Sequence, residues 1–225
     1  MRDGFELEVL ADADAVARRG ADVVADAVRS AVERAGVFTF AVSGGRTPWA
    51  MFAHLADEDL PWDDVGLWQV DERVAPDGDP DRNLTQLLGA LPGEGAQVYP
   101  MPVTEEDLDA AAARYATELP EPFDLVHLGL GDDGHTASLV PGDPVLDVDD
   151  RDVGLTAEYR GRRRMTLTYP ALARARRILW LVTGADKASV LPLLVAGDPG
   201  VPAGRVRAPS QLLIADEAAA AELER

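Results

Sequence analysis

FDLVHLGLGDDGHTASLVPG, residues 123–142, is the stretch of sequence that decides the fold. Its first part, residues 123–130, is a short apolar run that follows Pro122 and ends at a cluster of glycine and aspartate. Such a run is typical of a strand buried on both faces in a parallel sheet. Ligands bind beyond the carboxyl ends of the strands in an open α/β sheet, so the turn after residue 130 is a candidate binding segment.

This turn presents a histidine at the same edge of the sheet. Gly131 and Gly134 allow the chain to reverse, and His135 lies close in sequence to Asp133. Histidine is the usual proton-transfer residue at neutral pH, which makes His135 a candidate general base and Asp133 its candidate partner. The alternative is a turn histidine that only caps the next segment.

The composition excludes several classes of protein. With 225 residues and 47% hydrophobic content, the chain is long enough for one α/β domain spanning residues 1–225. Its 21 Lys and Arg against 40 Asp and Glu give a net charge of −19, so no nucleic-acid partner is expected. The absence of cysteine excludes disulfides and thiolate chemistry. No apolar run approaches the roughly 20 residues of a membrane span. The first residues show no signal peptide, so we expect a cytoplasmic protein without membrane contact.

Apolar runs and helical patterns alternate along the chain, which predicts helices covering a largely parallel sheet. Helices are also expected to follow the strands closely, one of them opened by Pro48. The predicted strands are 5–10, 37–42, 65–70, 123–130, 178–182 and 212–214, and the other predicted helices are 13–34, 104–119 and 185–195, the last bent or ended by Pro192.

One edge of the sheet has a different pattern. Residues 153–159 and 164–168 are suited to an antiparallel pair. We therefore expect an α/β fold with a mostly parallel, twisted sheet flanked by helices and a small antiparallel edge element. The loop at 75–82, rich in Asp and Pro, is expected to be the most mobile segment.

SGGRTP, residues 43–48, joins the second predicted strand to a helix. Paired glycines let the backbone approach a ligand closely, and hydroxyl groups with a helix N-terminus offer donors to a phosphate. The phosphate-binding candidates in this loop are Ser43, Gly44, Gly45 and Thr47. The segment is neither a Walker A sequence nor GxGxxG, so a nucleotide is not indicated. A tight turn that uses glycine for geometry alone is the alternative.

Two cationic residues follow other strands at this edge. Arg73, at the end of the third predicted strand beside Asp71, can form a bidentate contact with a phosphate. A surface salt bridge with Asp71 or Glu72 is the alternative. Lys187 is the only lysine of the chain and follows the strand at 178–182, where its ammonium can meet an anion. Chance placement on a helix surface is the alternative.

Arg164, at the head of a predicted amphipathic strand, is a weaker cationic candidate, because a solvated basic run with Arg162 and Arg163 explains it equally well. A strongly negative protein repels an anionic ligand at long range, so a phosphate site needs a local positive focus. Together these loops predict a pocket for a small phosphorylated metabolite with a histidine base.

A metal site is not expected from the other histidines. His54 lies on a predicted helix and His127 inside a buried strand, and neither has a ligand spacing to His135. His127 is interpreted as a core histidine.

Five motifs in this order resemble the 6-phosphogluconolactonase family, which shares its fold with the glucosamine-6-phosphate deaminases. The resemblance covers nearly the whole chain, and the third motif is the most specific. The motifs are SGGRTP (43–48), VDERVAP (70–76) with Asn83 downstream, LGLGDDGHTASLVPG (128–142), RMTLTYPAL (164–172) and the GADK segment that ends at Lys187.

The resemblance implies a Rossmann-like fold of the sugar-phosphate isomerase/deaminase type. It also implies hydrolysis of 6-phospho-D-glucono-1,5-lactone to 6-phosphogluconate in the oxidative pentose phosphate pathway, without metal or organic cofactor. The base of the family corresponds to His135, its DER arginine to Arg73 and its phosphate-contacting lysine to Lys187. We expect His135 to activate a water and Asp133 to orient the imidazole.

The oxyanion is expected to meet backbone N–H groups of the glycine turns, such as Gly131, or a nearby cation. Two residues depart from the family pattern. Arg46 stands where a small polar residue is common, and Arg82, which precedes Asn83, stands where serine is common. Arg46 is expected either to add a cation near the phosphate or to point into solvent.

The deaminases that share the fold carry a segment resembling Ala-Phe-Asn-Glu-Pro after their Asp-Gly-His. Residues 137–141 of this chain are ASLVP instead. Val140 stands at the glutamate position and cannot transfer a proton, which favours the lactonase. A deaminase or isomerase and a non-catalytic phosphosugar sensor are the alternatives. The partner expected is a phosphorylated sugar lactone, and the protein is expected to be a monomer or a weak homo-oligomer.

Overall fold

The main sheet of this computed structural model, which describes residues 4–91 and 95–223, positions most of the candidate site. The strands are β1 Phe5–Leu10, β2 Phe38–Val42, β3 Val65–Gln69, β4 Asp71–Arg73, β5 Gln97–Tyr99, β6 Leu125–Leu128, β7 Val153–Leu155, β8 Arg164–Leu167, β9 Ile178–Val182 and β10 Gln211–Asp216. The helices are α1 Ala13–Ala35, α2 Arg46–Leu55, α3 Asn83–Ala90, α4 Leu108–Thr117, α5 Tyr169–Ala173, α6 Leu191–Ala196 and α7 Pro202–Arg205.

Seven of these strands form one sheet in the order β1-β10-β9-β6-β2-β3-β5, and every neighbouring pair is parallel. The predicted parallel α/β fold is confirmed. Strands β6 and β9 are buried at every position because helices cover both faces of the sheet, and two hydrophobic clusters fill the two faces. This explains why their sequences are continuous apolar runs.

The chain reverses its direction of winding between β2 and β6. Strand β3 lies on one side of β2, and β6 lies on the other side after the chain has passed through β5 and α4. At such a switch point the loops that follow the two strands separate and leave a crevice beyond their carboxyl ends. The segments after β2 and after β6 are the SGGRTP loop and the turn that contains His135.

A second, antiparallel sheet has the order β4-β8-β7. The predicted pairing of 153–159 with 164–168 is confirmed, although the strands are shorter. We expected residues 71–73 to end the third strand. Asp71–Arg73 instead forms β4 in this second sheet. Val70 makes the crossing: its N–H donates to Val42 O at 3.1 Å in the main sheet, and its carbonyl accepts from the N–H of Leu167 at 2.8 Å in the second.

Helix α1 shows how local sequence sets the limits of an element. The carboxylate of Asp12 accepts a hydrogen bond from the N–H of Ala15 at 2.9 Å, and Gly36 ends the helix with a φ of 75°. Both are common helix-ending devices, since Asp satisfies a free N–H and glycine tolerates the left-handed conformation. The close agreement with the predicted helix at 13–34 follows from these two residues.

Other helices differ from expectation. The predicted helix at 185–195 is a 3-10 turn, Ala185–Lys187, followed by α6, whose first turn contains Pro192. Proline has no N–H to donate and suits the first turn of a new helix, which explains the interruption. The predicted helix at 104–119 is shorter and begins after Asp107, whose carboxylate caps it. Elements α3, α5, α7 and β5 were not predicted.

The loop at 75–82, expected to be mobile, is held by several side-chain contacts. Arg82 pairs with Asp77, Arg162 with Asp79 at 2.9 Å, and the side-chain amide of Gln86 donates to the Pro80 carbonyl at 2.9 Å.

Within the described ranges no helix is long and apolar enough to cross a membrane.

Candidate active site

A cavity of about 200 Å³ lies where the loops after β2, β6 and β9 meet the second sheet. It joins the candidate base to the candidate cations, because His135, Arg73 and Lys187 all line it. Five more of the predicted site residues line the same cavity: Ser43, Gly44, Asp71, Gly131 and Arg164. The sequence therefore identified residues that the fold brings together.

A tight turn holds the imidazole of His135 at the cavity. The N–H of Gly131 donates to His135 O at 2.8 Å, and the N–H of Gly134, whose φ is 80°, donates to Gly131 O at 3.1 Å. Both glycine amides are therefore used inside the turn and are not free to meet an oxyanion. A side chain at residue 131 would overlap the imidazole, so glycine is required there.

Asp133 lies behind the imidazole and not in the cavity wall. Its Oδ1 accepts from Nδ1 of His135 at 2.5 Å and from the backbone N–H of His135 at 3.0 Å. A carboxylate only accepts hydrogen bonds, so Nδ1 is the protonated nitrogen and Nε2 is left for the ligand. Burial raises the pKa of Asp133, but the hydrogen bonds from His135 and from the Tyr159 hydroxyl outweigh it and hold the pKa below its usual value.

Sequence reasoning missed Tyr159. Its hydroxyl donates to Oδ2 of Asp133 at 3.0 Å, so both oxygens of that carboxylate have a partner. Tyr159 comes from the turn that precedes β8, far in sequence from the His135 turn, and only the predicted hairpin between 153 and 168 hinted at its position.

Arg73 faces the cavity from the second sheet. Its guanidinium donates to the backbone carbonyl of Asp81, while its Nε is buried and has no hydrogen-bond partner among the described residues. The expected alternative of a salt bridge to Asp71 or Glu72 does not form in this part of the chain; only the backbone N–H of Arg73 donates to Glu72, at 2.8 Å. Within residues 4–91 and 95–223, Arg73 is thus a cation at the cavity without a carboxylate partner.

Arg164 is also a buried cation, and not part of a solvated basic run. It is 8% exposed, and β8 is buried throughout, so the predicted amphipathic strand was wrong; the strand is covered on both faces. Burial lowers the pKa of Arg164, although the nearby Asp71 opposes this. The guanidinium of Arg164 reaches the hydroxyl of Ser138 at 3.5 Å.

Asp71 is a buried carboxylate that links three elements. It accepts from the hydroxyl of Ser138 at 2.6 Å and from the side-chain amide of Asn83 at 3.2 Å. Asn83 in turn packs against Gly44, where an added Cβ would lie 2.0 Å from Oδ1 of Asn83. Asp71 therefore joins β4 to the segment after β6 and to the start of α3, where Asn83 packs against the SGGRTP loop, and its carboxylate is largely used by the protein itself.

The SGGRTP loop opens toward two cavities. The hydroxyl of Ser43 is buried and without a partner in the described structure. Gly45, with a φ of 140°, precedes α2, and no side chain among the described residues caps that helix. Gly45 and Thr47 line a second cavity of about 200 Å³ rather than the first, and the hydroxyl of Thr47 lies 3.0 Å from that of Thr183.

Lys187 borders both cavities. Its side chain is 18% exposed, and its ammonium lies 2.8 Å from Oδ2 of Asp186. Arg46 lines the second cavity and is exposed, which is compatible with both expectations for its side chain. Arg73 and Lys187 thus line the cavity on one side of the SGGRTP loop, and Arg46 and Lys187 line the cavity on its other side. The N-terminus of α2 lies at this loop, where the helix dipole also favours an anion.

His127 is buried, as predicted for a core histidine, and it also borders the second cavity. Neither ring nitrogen has a hydrogen-bond partner among residues 4–91 and 95–223. Burial lowers the pKa of His127 to about 3, so the ring is neutral at physiological pH. It offers no cation to the site.

Arg82, one of the departures from the expected pattern, is buried outside the cavity. Its Nε lies 3.3 Å from Oε2 of Glu72, and its guanidinium also pairs with Asp77. Glu72 is fully buried and accepts further hydrogen bonds from the N–H groups of Asn83 and Leu84, each at 2.8 Å. The carboxylate of Glu72 thus caps α3, since Arg82, which precedes this helix, provides no capping side chain.

Asp132, Asp133 and His135 place one possible metal ligand each within 4.8 Å of one another. The protein itself already engages these groups, because Asp133 accepts from His135 and Tyr159 and Asp132 pairs with Arg160 at 3.3 Å. The arrangement is explained as the support of an imidazole.

The comparison with known families identifies this chain. A family model described as glucosamine-6-phosphate isomerases/6-phosphogluconolactonase matches residues 11–215. The chain belongs to this family. Among curated members, 6-phosphogluconolactonase from Nostoc sp. (strain PCC 7120) is 32% identical, over 96% of this chain and 98% of its own length.

Solved structures of proteins with two different activities share the fold of this chain. A 6-phosphogluconolactonase from Shewanella baltica OS155 has a TM-score of 0.85 at 24% identity, over 96% of this chain and 98% of its own. A monomeric glucosamine-6-phosphate deaminase has a TM-score of 0.82 at 17% identity, over 96% and 99%. The fold alone therefore does not separate the two reactions, and the residues around the cavity must.

Proposed function

We propose that the protein hydrolyses 6-phospho-D-glucono-1,5-lactone to 6-phospho-D-gluconate, as a cytoplasmic enzyme of the oxidative pentose phosphate pathway. The observation that supports this most is the common cavity of His135, Arg73 and Lys187 in a chain of this family. One cavity wall offers a proton acceptor, and the others offer cations that a phosphorylated substrate needs.

The phosphate binds among Arg73, Lys187 and the SGGRTP loop. The net charge of −19 repels an anionic substrate at a distance, so attraction must be local. Arg73 has no carboxylate partner in the described residues, and the uncapped start of α2 adds N–H groups and the positive end of a helix dipole. Binding the remote phosphate in this way orients the lactone carbonyl at the imidazole.

Hydrolysis uses Nε2 of His135 as the base. A water attacks the lactone carbonyl carbon while its proton moves to Nε2, and the carbonyl oxygen becomes an oxyanion. The oxyanion then reforms the carbonyl, the bond between that carbon and the ring oxygen breaks, and the proton on Nε2 passes to the ring oxygen. Asp133 stabilises the transient imidazolium through Nδ1, and base and partner together contribute on the order of 10²–10⁴-fold.

The oxyanion meets a cationic side chain of the cavity rather than the glycine turn. The N–H groups of Gly131 and Gly134 already donate within the turn, which argues against them. Arg164 lines the cavity, and its Nε is buried without a partner in the described part of the chain, so it is the donor best suited to an oxygen that becomes negative.

A deaminase reaction is disfavoured by one residue. Val140 stands at the position where the resembling deaminase segment has a glutamate. It is apolar and 4% exposed, so it offers no group for ring opening. Release of ammonia from glucosamine 6-phosphate would contradict our proposal. Tight binding of 6-phosphogluconate without hydrolysis of the lactone would instead support a sensor.

The direct test is the acidification of freshly prepared 6-phosphogluconolactone, measured above its spontaneous hydrolysis. We expect fast turnover by the wild type, loss of most kcat in His135→Ala, and little change in the affinity of that variant for 6-phosphogluconate. His54→Ala is the matched control, because His54 lies on α2 and does not line either cavity at the loop. A kcat of His135→Ala near that of wild type would remove the base assignment.

The proposed monomeric or weakly associated state is tested separately. Light scattering across a range of protein concentrations should give a mass close to 24.0 kDa at low concentration. A stable larger mass at every concentration would contradict it.

A further inference from the structure

The two-residue turn before β8 brings an aromatic ring to the catalytic loop. The N–H of Tyr159 donates to Arg162 O at 3.0 Å, and the N–H of Arg162 donates to Tyr159 O at 3.3 Å. Between them, Arg160 has a φ of 51° and Gly161 a φ of 81°. Two successive residues with positive φ are typical of the tightest hairpin turns, so the position of Tyr159 is set by the backbone.

From this turn Tyr159 touches both members of the proposed catalytic pair. Its hydroxyl donates to Oδ2 of Asp133 at 3.0 Å, whereas Oδ1 accepts from His135. Its ring meets the imidazole edge to face, with centroids 5.8 Å apart and planes at 64°. Oδ1 also accepts from the backbone N–H of His135, so with donors on both oxygens the carboxylate cannot rotate away from Nδ1 without losing a hydrogen bond.

Two guanidinium groups hold the ring of Tyr159 in place. The Cζ atom of Arg160 lies 5.1 Å from the ring centroid and that of Arg164 lies 5.0 Å from it. Both distances are within the range of cation–π attraction. Arg160 also pairs with Asp132, in the same turn as His135. The tyrosine is therefore fixed between the second sheet and the loop after β6.

We infer that Tyr159 is a positioning residue for hydrolysis: its hydroxyl holds the Asp133 carboxylate so that His135 keeps its hydrogen on Nδ1 and presents a free Nε2. This inference rests on the proposed function, in which Nε2 takes the proton from water. Tyr159 is not among the residues that line the substrate cavity. Its loss therefore affects the chemical step and not the binding of the phosphate.

The variant that isolates the hydroxyl is Tyr159→Phe, since phenylalanine keeps the ring between the two arginines. Tyr169→Phe is the matched control: the hydroxyl of Tyr169 also donates, to Pro202 O at 3.0 Å, and a guanidinium, that of Arg205, also lies over its ring at 4.7 Å. Tyr169 does not line the substrate cavity either. The two variants lose the same group in similar surroundings.

We expect Tyr159→Phe to lower kcat about tenfold, the loss that corresponds to one hydrogen bond to a charged group. Its KM for the lactone and its affinity for 6-phosphogluconate should stay within about twofold of wild type, and its Tm should match that of Tyr169→Phe. A kcat within twofold of wild type, or a loss that appears equally in Tyr169→Phe, would overturn the inference.

A spectroscopic measurement tests the same inference without turnover. The chain has 3 histidines, so the ¹⁵N signals of the His135 ring can be assigned by comparison with a His135→Ala sample. With the ring neutral, we expect the wild type to carry hydrogen on Nδ1 only; in Tyr159→Phe, the tautomer with hydrogen on Nε2 should become measurable. Identical tautomer populations in both proteins would contradict the positioning role, whether or not the lactone proves to be the substrate.

Discussion

The imidazole of His135 occupies the space that a side chain on Gly131 would need. A Cβ atom built on Gly131 would lie 2.0 Å from Nδ1 and 2.2 Å from Cε1 of that ring. The backbone therefore passes directly against the imidazole, and the position of the ring depends on a missing methyl group four residues earlier in the chain.

Gly131→Ala should consequently lower kcat by about 10²-fold, because a displacement near 1 Å at a catalytic group has an effect of this size. The φ of Gly131 is not in the left-handed region, so the backbone itself admits alanine, but the imidazole must move and its hydrogen bond to Asp133 is disturbed, so the Tm should also fall. Gly89→Ala is the control, since Gly89 in α3 faces open space. Steady-state kinetics and thermal unfolding of both variants check this; unchanged kcat in Gly131→Ala would mean that the imidazole can shift without loss.

Lys187→Ala should raise KM for the phosphorylated lactone about 10- to 100-fold, since it removes a charge-assisted hydrogen bond to the phosphate. Turnover of unphosphorylated glucono-1,5-lactone should remain as in the wild type. Arg18→Ala, which removes an exposed cation on α1, is the control for a general change in charge. An equal loss with both lactones would show that Lys187 does not recognise the phosphate.

Glu72→Ala should strongly destabilise the fold. The carboxylate is fully buried and accepts from five donors, on Gln69, Arg73, Arg82, Asn83 and Leu84. Its removal leaves the buried Arg82 without this partner, and breaking a buried pair in this way costs about 3–5 kcal/mol.

Urea unfolding measures this difference. Glu105→Ala is the control, because Glu105 forms an exposed pair with Arg114 and should contribute at most about 1 kcal/mol. Equal free energies of unfolding for the two variants would contradict the structural role assigned to Glu72.

His127→Leu should make the protein more resistant to acid. Burial lowers the pKa of His127 to about 3, whereas the unfolded chain has a pKa near 6.5. Between these values the unfolded state binds the proton and the folded state does not, so the free energy of unfolding falls as the pH falls. The slope from this residue is at most about 1.4 kcal/mol per pH unit.

Urea unfolding from pH 7 to pH 4 gives the measurement. The stability of His127→Leu should decrease less steeply than that of wild type, while His54→Leu, which keeps the buried imidazole, should follow the wild type. Parallel curves for His127→Leu and wild type would show that a bound water or a structural change already compensates the buried ring.

The sequence allowed prediction of the parts of this site that lie at strand ends. His135 and Lys187 each follow an apolar strand of the main sheet, and parallel strands bring such positions to one edge without any knowledge of packing. The limits of α1 were also predictable, because Asp12 and Gly36 are local signals. In both cases neighbouring residues determine the result.

Features that depend on distant segments were not predictable. The three residues of β4 look like the end of β3, and only their pairing with β8, some 90 residues later, assigns them to another sheet. Tyr159 reaches Asp133 because two hairpin residues adopt positive φ, one of them the non-glycine Arg160. Helix α3 has no capping side chain at Arg82, since the buried Glu72 from another element serves instead.

Val70 is a single residue that is hydrogen-bonded to both sheets and so joins them. A hinge between them would have to break these bonds inside a buried core, which makes closure of one sheet on the other an unfavourable way to admit a substrate. The connection at Val70 therefore favours a constant spacing between the walls that the two sheets contribute to the cavity. A site built in this way is preorganised, so we expect the fixed spacing of base and cations, rather than induced fit, to determine its selectivity.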